Sequence, residues 1–278
     1  LPDGGMGAER GRLSDATSMS AAQPPESAQQ RFRRRFSAGE ELLGTFLKTP
    51  TAHATEILAD VGFDFVVVDA EHAPFSRADI DHMMLAAKAA GMASVVRVPS
   101  SASEHILTAL DAGAAGVLVP HVSSAAILKT IVDAAYFKGG HRGFSNSPRA
   151  GGYGRLGFLD YMATCDSSTC VIAMIEDLDA LDRLDEIFAV PGLTGAFIGR
   201  GDLSAAVGAA SPDDPRVAEM VATITQAAQR HQLPLIAHVG ASDAPDVALL
   251  RKQGIRSFLV ASDQGLMRQA ALRMRQAF

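Results

Sequence analysis

The sequence has little of what marks several large protein classes. Its 278 residues include two cysteines, Cys165 and Cys170, too few for a disulfide framework or a four-thiolate zinc site. It has no excess of positive charge, since 25 Lys and Arg face 31 Asp and Glu, a net charge of −6. That balance excludes a general binder of nucleic acid or of anionic membrane surfaces. Long apolar runs are missing too. The longest stretch free of Asp, Glu, Lys and Arg, 112–128, is broken by Pro120 and His121 and is too short to span a bilayer. No Gly-x-x-x-x-Gly-Lys-Ser/Thr occurs, so the common phosphate-cradling loop of that pattern is absent. What remains, 47% hydrophobic and 20% charged residues, is ordinary globular composition. The length suits one large domain or two small ones.

Residues 1–30 differ from the rest, being rich in Gly, Ser, Gln and Pro with almost no apolar periodicity. Such a segment has no apolar surface to offset its ordering entropy, so a disordered extension is expected over 1–30 and a single domain over 31–278. No apolar stretch follows a basic start, and Asp3, Glu9, Asp15 and Glu26 argue against a transit peptide. The cytoplasm is the expected compartment. The run Arg-Phe-Arg-Arg-Arg-Phe at 31–36 reads as a helix that tucks Phe32 and Phe36 onto the domain and leaves its arginines in solvent.

From Leu42 the chain alternates. Short β-branched runs fall near 42–48, 64–69, 93–98, 116–120, 171–176, 194–200, 234–239 and 256–261, with helical spacing between them at 76–91, 102–113, 123–135, 178–190, 215–231 and 243–254 and after them at 263–278. Near-continuous apolar strands separated by amphipathic helices predict a parallel sheet covered on its outer face. Eight such units predict a (β/α)8 TIM barrel of the α/β class; a doubly wound open sheet is the main rival.

In a (β/α)8 barrel the chemistry sits at the C-terminal ends of the strands. Ionisable residues fall there in order: Asp69, Glu71 and His72 after the second strand, Arg97 in the third, His121 after the fourth, Glu176 ending the fifth, Asp202 after the sixth and His238 in the seventh. Glu176 and Asp202 place two carboxylates at one mouth, a set suited to Mg²⁺ or Mn²⁺, or else they cap the following helices. Asp69 and His72 read either as a turn or as a carboxylate that orients an imidazole base. Arg97 within an apolar strand needs an anion: a substrate carboxylate or enolate, or an ion pair with Asp69 or Glu71. His121 and His238 read as packed or hydrogen-bonded rim histidines, the cysteines as inert, and Met83 and Met84 as core. Neither Lys129 nor Lys138 falls at a predicted strand end, which disfavours a Schiff-base mechanism.

Five motifs carry a resemblance: FVVVDAEHAPFSR (65–77), VVRVP (95–99), LDAGAAGVLVPHV (110–122), MIED (174–177) and GAFIGRGDLSAAVG (195–208). They resemble, in order and over about 38–278, the HpcH/HpaI aldolase family of metal-dependent pyruvate aldolases. The resemblance implies a class II aldolase that cleaves 4-hydroxy-2-oxo acids reversibly to pyruvate and an aldehyde through a metal-stabilised enolate. It implies that Glu176 and Asp202 bind a divalent cation (Mg²⁺, Mn²⁺ or Co²⁺), that Arg97 holds the enolate oxygen, and that His72, oriented by Asp69, is the acid/base. Glu71 would support the metal's waters, and the backbone of Gly201 and Asp202 would receive the substrate carboxylate. Asp111 would reach a neighbouring subunit's site, and Arg142 would stand near the site on a loop at 141–154. A homohexamer, a trimer of dimers with the C-terminal helix exchanged between subunits, follows from the same resemblance. One departure stands out: Gly199-Arg200-Gly201-Asp202 replaces the Gly-Pro-Ala-Asp of many relatives. A citryl- or malyl-CoA lyase or an oxaloacetate decarboxylase on the same scaffold is the alternative, and a CoA enzyme needs a basic phosphate patch that the linear sequence shows only at 33–35.

Overall fold

The structure is a computed structural model that describes residues 26–241 and 244–278. Eight parallel strands form a closed barrel in chain order: β1 Leu42–Leu47, β2 Phe65–Asp69, β3 Ala93–Arg97, β4 Gly116–Val119, β5 Cys170–Ile175, β6 Gly195–Ile198, β7 Leu235–Val239 and β8 Ser257–Ser262. β8 closes the ring against β1. Helices α1 Ala28–Ser37, α2 Ala52–Asp60, α3 Arg77–Ala89, α4 Ser103–Asp111 and α5 Ala125–Ala135 lie in the first half of the chain. They are followed by α6 Phe158–Ser168, α7 Leu178–Leu181, α8 Leu184–Phe188, α9 Arg200–Ala206, α10 Pro215–Arg230, α11 Pro245–Lys252 and α12 Asp263–Gln276. The (β/α)8 expectation holds and the open-sheet rival falls. The single helix expected over 178–190 is instead two short ones, because Arg183 leaves the helical region at φ −124° and ψ 14°. Among the described residues no helix is long and apolar enough to cross a membrane.

Strand periodicity divides the apolar residues between two cores. On β2, Val66 and Val68 face the helical layer with Ile80, Met83 and Met84 of α3. Phe65 and Val67 face the barrel interior with Leu42, Phe46, Val95, Ile172, Met174, Phe197 and Leu259. The ring is narrow enough to need glycine at crowded positions: a Cβ on Gly44 would stand 2.7 Å from the Phe65 ring, and one on Gly195 would stand 2.4 Å from Phe36.

The bottom of the barrel is plugged by α1. Ser27 caps this helix and forms a capping box with Gln30, which satisfies amides that would otherwise be orphaned. Phe32 and Phe36 are buried in the interior cluster, their rings stacked 5.5 Å apart, and this is the placement that the Phe spacing at 31–36 implies. The extension assigned to 1–30 falls mostly on residues outside those described; its last part, from Ser27, forms the cap and first turn of α1.

Candidate active site

The inward set of each strand, continued one step past the interior core, generates the mouth. On β1 the series Leu42, Gly44, Phe46 continues to Lys48; on β2, Phe65, Val67 to Asp69; on β3, Ala93, Val95 to Arg97; on β5, Ile172, Met174 to Glu176; on β7, Ile236 to His238. Period-two alternation therefore aims these five polar side chains over the top of the apolar core. A cavity of about 490 Å³ opens there, lined by Lys48, His72, Arg97, Arg200, Gly201, Asp202 and His238 among others.

At its floor, Asp69 and Arg97 form a buried, two-pronged ion pair. Arg97 Nε donates to Asp69 Oδ1 at 2.9 Å and Arg97 Nη2 to Oδ2 at 2.6 Å. Lys48 Nζ lies 3.2 Å from the same Oδ2. Burial alone pushes the Asp69 carboxyl up, but the Arg97 hydrogen bonds, the His72 amide and the Lys48 charge outweigh it and hold the group below the ordinary aspartate value. The Arg97 guanidinium also lies 4.7 Å over the Phe46 ring and 3.4 Å from Glu71 Oε2. Its position is thus fixed from three sides, which is the preorganisation that a charge-stabilising donor requires.

Asp69 touches His72 differently from the expected orienting contact. It accepts from the backbone amide of His72 at 3.0 Å, so it shapes the turn and leaves the ring alone. The imidazole is 58% exposed, and its Nε2 lies 3.6 Å from Glu71 Oε2. Glu71 is therefore the carboxylate beside the ring, bridging His72 and Arg97.

Across the mouth, Glu176 is buried and accepts from the His121 amide at 2.8 Å. His121 aims that amide by adopting φ 56°, a strained conformation for a non-glycine residue. Desolvation raises the Glu176 carboxyl to about 7, and the neighbouring Asp202 charge adds to the rise. Gly199 leaves room for it, since a Cβ there would stand 2.4 Å from Glu176 Cβ. Among the described residues no Lys or Arg pairs with Glu176 or Asp202, and no three His, Cys, Asp or Glu side chains form a ready cage. The His121 imidazole stands beside Glu176, Nδ1 3.6 Å from Oε1. Two neighbouring carboxylates with no Lys or Arg partner among the described residues fit a hard divalent cation that completes its shell with water or substrate oxygens. Gly201 and Asp202 sit in the first turn of the short helix α9, and the space beside Gly201 is open.

Arg200 is committed elsewhere. It donates to the His238 carbonyl at 2.7 Å and pairs with Asp246 at 2.7 Å, so it braces β6 against β7 and α11. Burial and the charges of Arg200, Lys48 and Arg97 lower the His238 imidazole, which suits a packed, neutral rim histidine. Asp111 and Arg142 pair with each other at 3.0 Å, and neither lines the mouth cavity. Lys48 lines the mouth, whereas Lys129 and Lys138, the lysines weighed in the sequence, do not. The signal was present in the inward set of β1, one step past Phe46. The Lys48 Nζ is engaged by the Asp69 carboxylate.

Comparison with known proteins agrees with this geometry. Residues 42–270 match the HpcH/HpaI aldolase/citrate lyase family. The 2-keto-3-deoxy-L-rhamnonate aldolase of Escherichia coli K12 is 37% identical over 194 residues, which is 68% of this chain and 72% of that one. An HpcH/HpaI aldolase/citrate lyase family protein from Burkholderia cenocepacia J2315 superposes with a TM-score of 0.84 at 27% identity, covering 89% of this chain and 98% of that one. An HpcH/HpaI aldolase from Desulfitobacterium hafniense DCB-2 gives 0.83 at 27% identity, over 88% and 95%.

The buried ion pair generates a stability prediction. Asp69→Asn leaves two cations facing a neutral amide and should destabilise the fold at pH 7 by about 3–5 kcal/mol in chemical denaturation. Because the folded state holds Asp69 below its ordinary value, its stabilisation is present above about pH 3.9 and is lost as acid protonates it. The gap between variant and wild type should therefore narrow on acidification. A loss under about 1 kcal/mol at pH 7 would contradict the pairing.

Proposed function

The chain belongs to the HpcH/HpaI aldolase/citrate lyase family, and on that premise we propose that it is a metal-dependent class II aldolase, cleaving 4-hydroxy-2-oxo acids reversibly to pyruvate and an aldehyde. Carbon–carbon lyase chemistry is what its family and named relatives share. The observation that carries the finer reading is the mouth itself: two crowded carboxylates, Glu176 and Asp202, at the rim that also holds the fixed Arg97 guanidinium. The compound named in the E. coli relative, a 2-keto-3-deoxy acid, is itself a 4-hydroxy-2-oxo acid and supports the substrate class. The cations lining the mouth are each engaged by a carboxylate, Arg97 and Lys48 by Asp69 and Arg200 by Asp246. No free basic patch for a CoA phosphate stands there among the described residues.

Glu176 and Asp202 would hold the cation, Mg²⁺, Mn²⁺ or Co²⁺, which when bound polarises the keto oxygen as a Lewis acid. His72, open to solvent at the rim, takes the proton of the C4 hydroxyl. The C3–C4 electron pair then moves onto the C2 oxygen as the enolate, and the aldehyde leaves. Arg97, already oriented by Asp69 and Phe46, donates to that oxygen as its charge grows. Protonation at C3 gives pyruvate; reversal is aldol addition. Glu71, between Arg97 and the His72 ring, stabilises the protonated imidazole.

The assembly proposed with this activity is a hexamer, a trimer of dimers with α12 exchanged. Its support is the helix itself: α12 buries none of its residues and exposes Met267, Leu272 and Met274, with Phe278 just beyond it. Its first turn nevertheless holds the site, because Asp263 accepts from the amides of Lys48 at 2.8 Å and Thr49 at 3.1 Å.

EDTA should abolish cleavage and divalent ions restore it; Arg97→Ala should lower kcat roughly 10²–10³-fold and His72→Ala at least ~10²-fold. Borohydride with pyruvate should leave Lys48 unlabelled, and covalent trapping there would overturn the class II reading. Light scattering at micromolar concentration should give about six chain masses, and deletion of 263–278 should destroy both assembly and activity. A fully active monomer would show that α12 packs on its own barrel.

A further inference from the structure

A second cavity, of about 370 Å³, lies at the other end of the barrel. It is bounded by Ser27, Ala28 and Gln29 at the start of α1, by Gly91, Gly113 and Thr169 just before β3, β4 and β5, and by part of the 142–156 loop. Its charge is of one sign. Lys88, Arg142, Arg149 and Arg155 line it, and among the described residues no Asp or Glu does, although the chain as a whole carries −6.

Two of these cations are built into the wall. The side chains of Arg142 and Arg149 are 1% and 9% exposed. Each is tethered by one acid, Arg142 to Asp111 at 3.0 Å and Arg149 to Asp81 at 2.8 Å. The Nε of each is buried with no hydrogen-bond partner. Lys88 and Arg155 are exposed at the rim, and among the described residues no acid pairs with them. Four cations are thus gathered around two carboxylates that stand outside the cavity.

Local backbone choices bring them together. Gly113, at φ +98°, lets Arg149 Cδ approach to 3.3 Å of where a Cβ would be, and Gly152, at φ +63°, does the same for Arg155 Nε at 3.4 Å. The ten-residue helix α1 adds its positive end, and with Ser27 committed to Gln30 the first-turn amides of Ala28 and Gln29 have no acceptor among the described residues. Four cations line one cavity and two of them, Lys88 and Arg155, have no acid partner among the described residues, so an anion in the shared space is favoured. Guanidinium forks with helix amides match the several oxygens of a phosphoryl group, and the volume exceeds what a lone phosphate fills.

We propose that this cavity binds a phosphorylated small molecule, at a site separate from the catalytic mouth. The site is independent of the aldolase reading. A ligand there spans α1, α3 and the 142–156 loop, so its binding stabilises the folded state.

The test is isothermal titration of the full chain, in EDTA, with inorganic phosphate, pyrophosphate and ADP. Pyrophosphate and ADP should bind once per chain and raise Tm, and free phosphate should bind more weakly. The Lys88→Ala/Arg155→Ala variant removes two exposed, unpaired side chains, so it should fold normally and keep its unliganded aldol activity. It should lose at least tenfold in affinity for pyrophosphate, whereas Arg97→Ala at the mouth should lose none. Tighter binding of free phosphate than of ADP would reassign the site to the inorganic ion and overturn the small-molecule ligand. Absence of binding up to millimolar ligand would overturn the proposal outright. So would affinity lost in Arg97→Ala and kept in the double variant, or binding that emerges only after removal of 1–25 with its Asp3, Glu9 and Asp15.

Discussion

One carboxylate organises the mouth of this barrel. Asp69 ends β2 on the inward side, fully buried, and takes both prongs of Arg97 as well as the Lys48 ammonium. A carboxylate so far from water is costly alone, and two cations from the adjacent strands β1 and β3 make it tolerable. The exchange works both ways, because without Asp69 neither cation could be held so close to the apolar core. Through Arg97 the arrangement reaches Glu71 and the His72 ring; through Oδ1, which Arg97 Nε shares, it sets the turn that carries His72. The opposite rim has the reverse problem: Glu176 and Asp202 feel each other's charge, with the His121 imidazole as neighbour and no Lys or Arg partner among the described residues. The mouth therefore joins a charge-satisfied half to a half that lacks its counter-ion.

The scaffold was legible because its two periods are strong. Near-continuous β-branched runs such as 65–69 and 93–98 are buried on both faces, which an eight-unit parallel barrel demands. Strand ends then located Asp69, Arg97 and Glu176, since alternation decides which side chains point inward, and Asp202 follows in the first turn of α9. Pairing was less legible. His72 lies three residues from Asp69 and Arg97 lies twenty-eight away, and spacing favours the near partner, while barrel geometry brings β2 and β3 side by side with Asp69 opposite Arg97. Lys48 was masked for a related reason: a lysine after an apolar run looks like a solvent flank unless the inward parity of β1 is followed through Phe46. The basic cavity could not be read at all, because Lys88, Arg142, Arg149 and Arg155 converge only when the 142–156 loop folds beneath the barrel.

The C-terminal helix ties chemistry to architecture. Asp263, in its first turn, fastens the amides of Lys48 and Thr49, while the rest of α12 leaves its apolar side uncovered. Whatever covers that side also steadies Lys48, and through Lys48 the Asp69 carboxylate. The Arg200 brace from β6 to His238 and Asp246 plays a similar part on the other flank.

The central claim is that this mouth stabilises an enolate of pyruvate by joining Arg97 to a cation held at Glu176 and Asp202. Exchange of the pyruvate methyl protons with deuterated water, followed by proton NMR without any aldehyde, isolates that step from aldol cleavage. The account predicts exchange that requires a divalent ion, is lost in Asp202→Asn and Arg97→Ala, and persists in His72→Ala, where water serves as the base. Exchange at the wild-type rate in Asp202→Asn or in EDTA would contradict it.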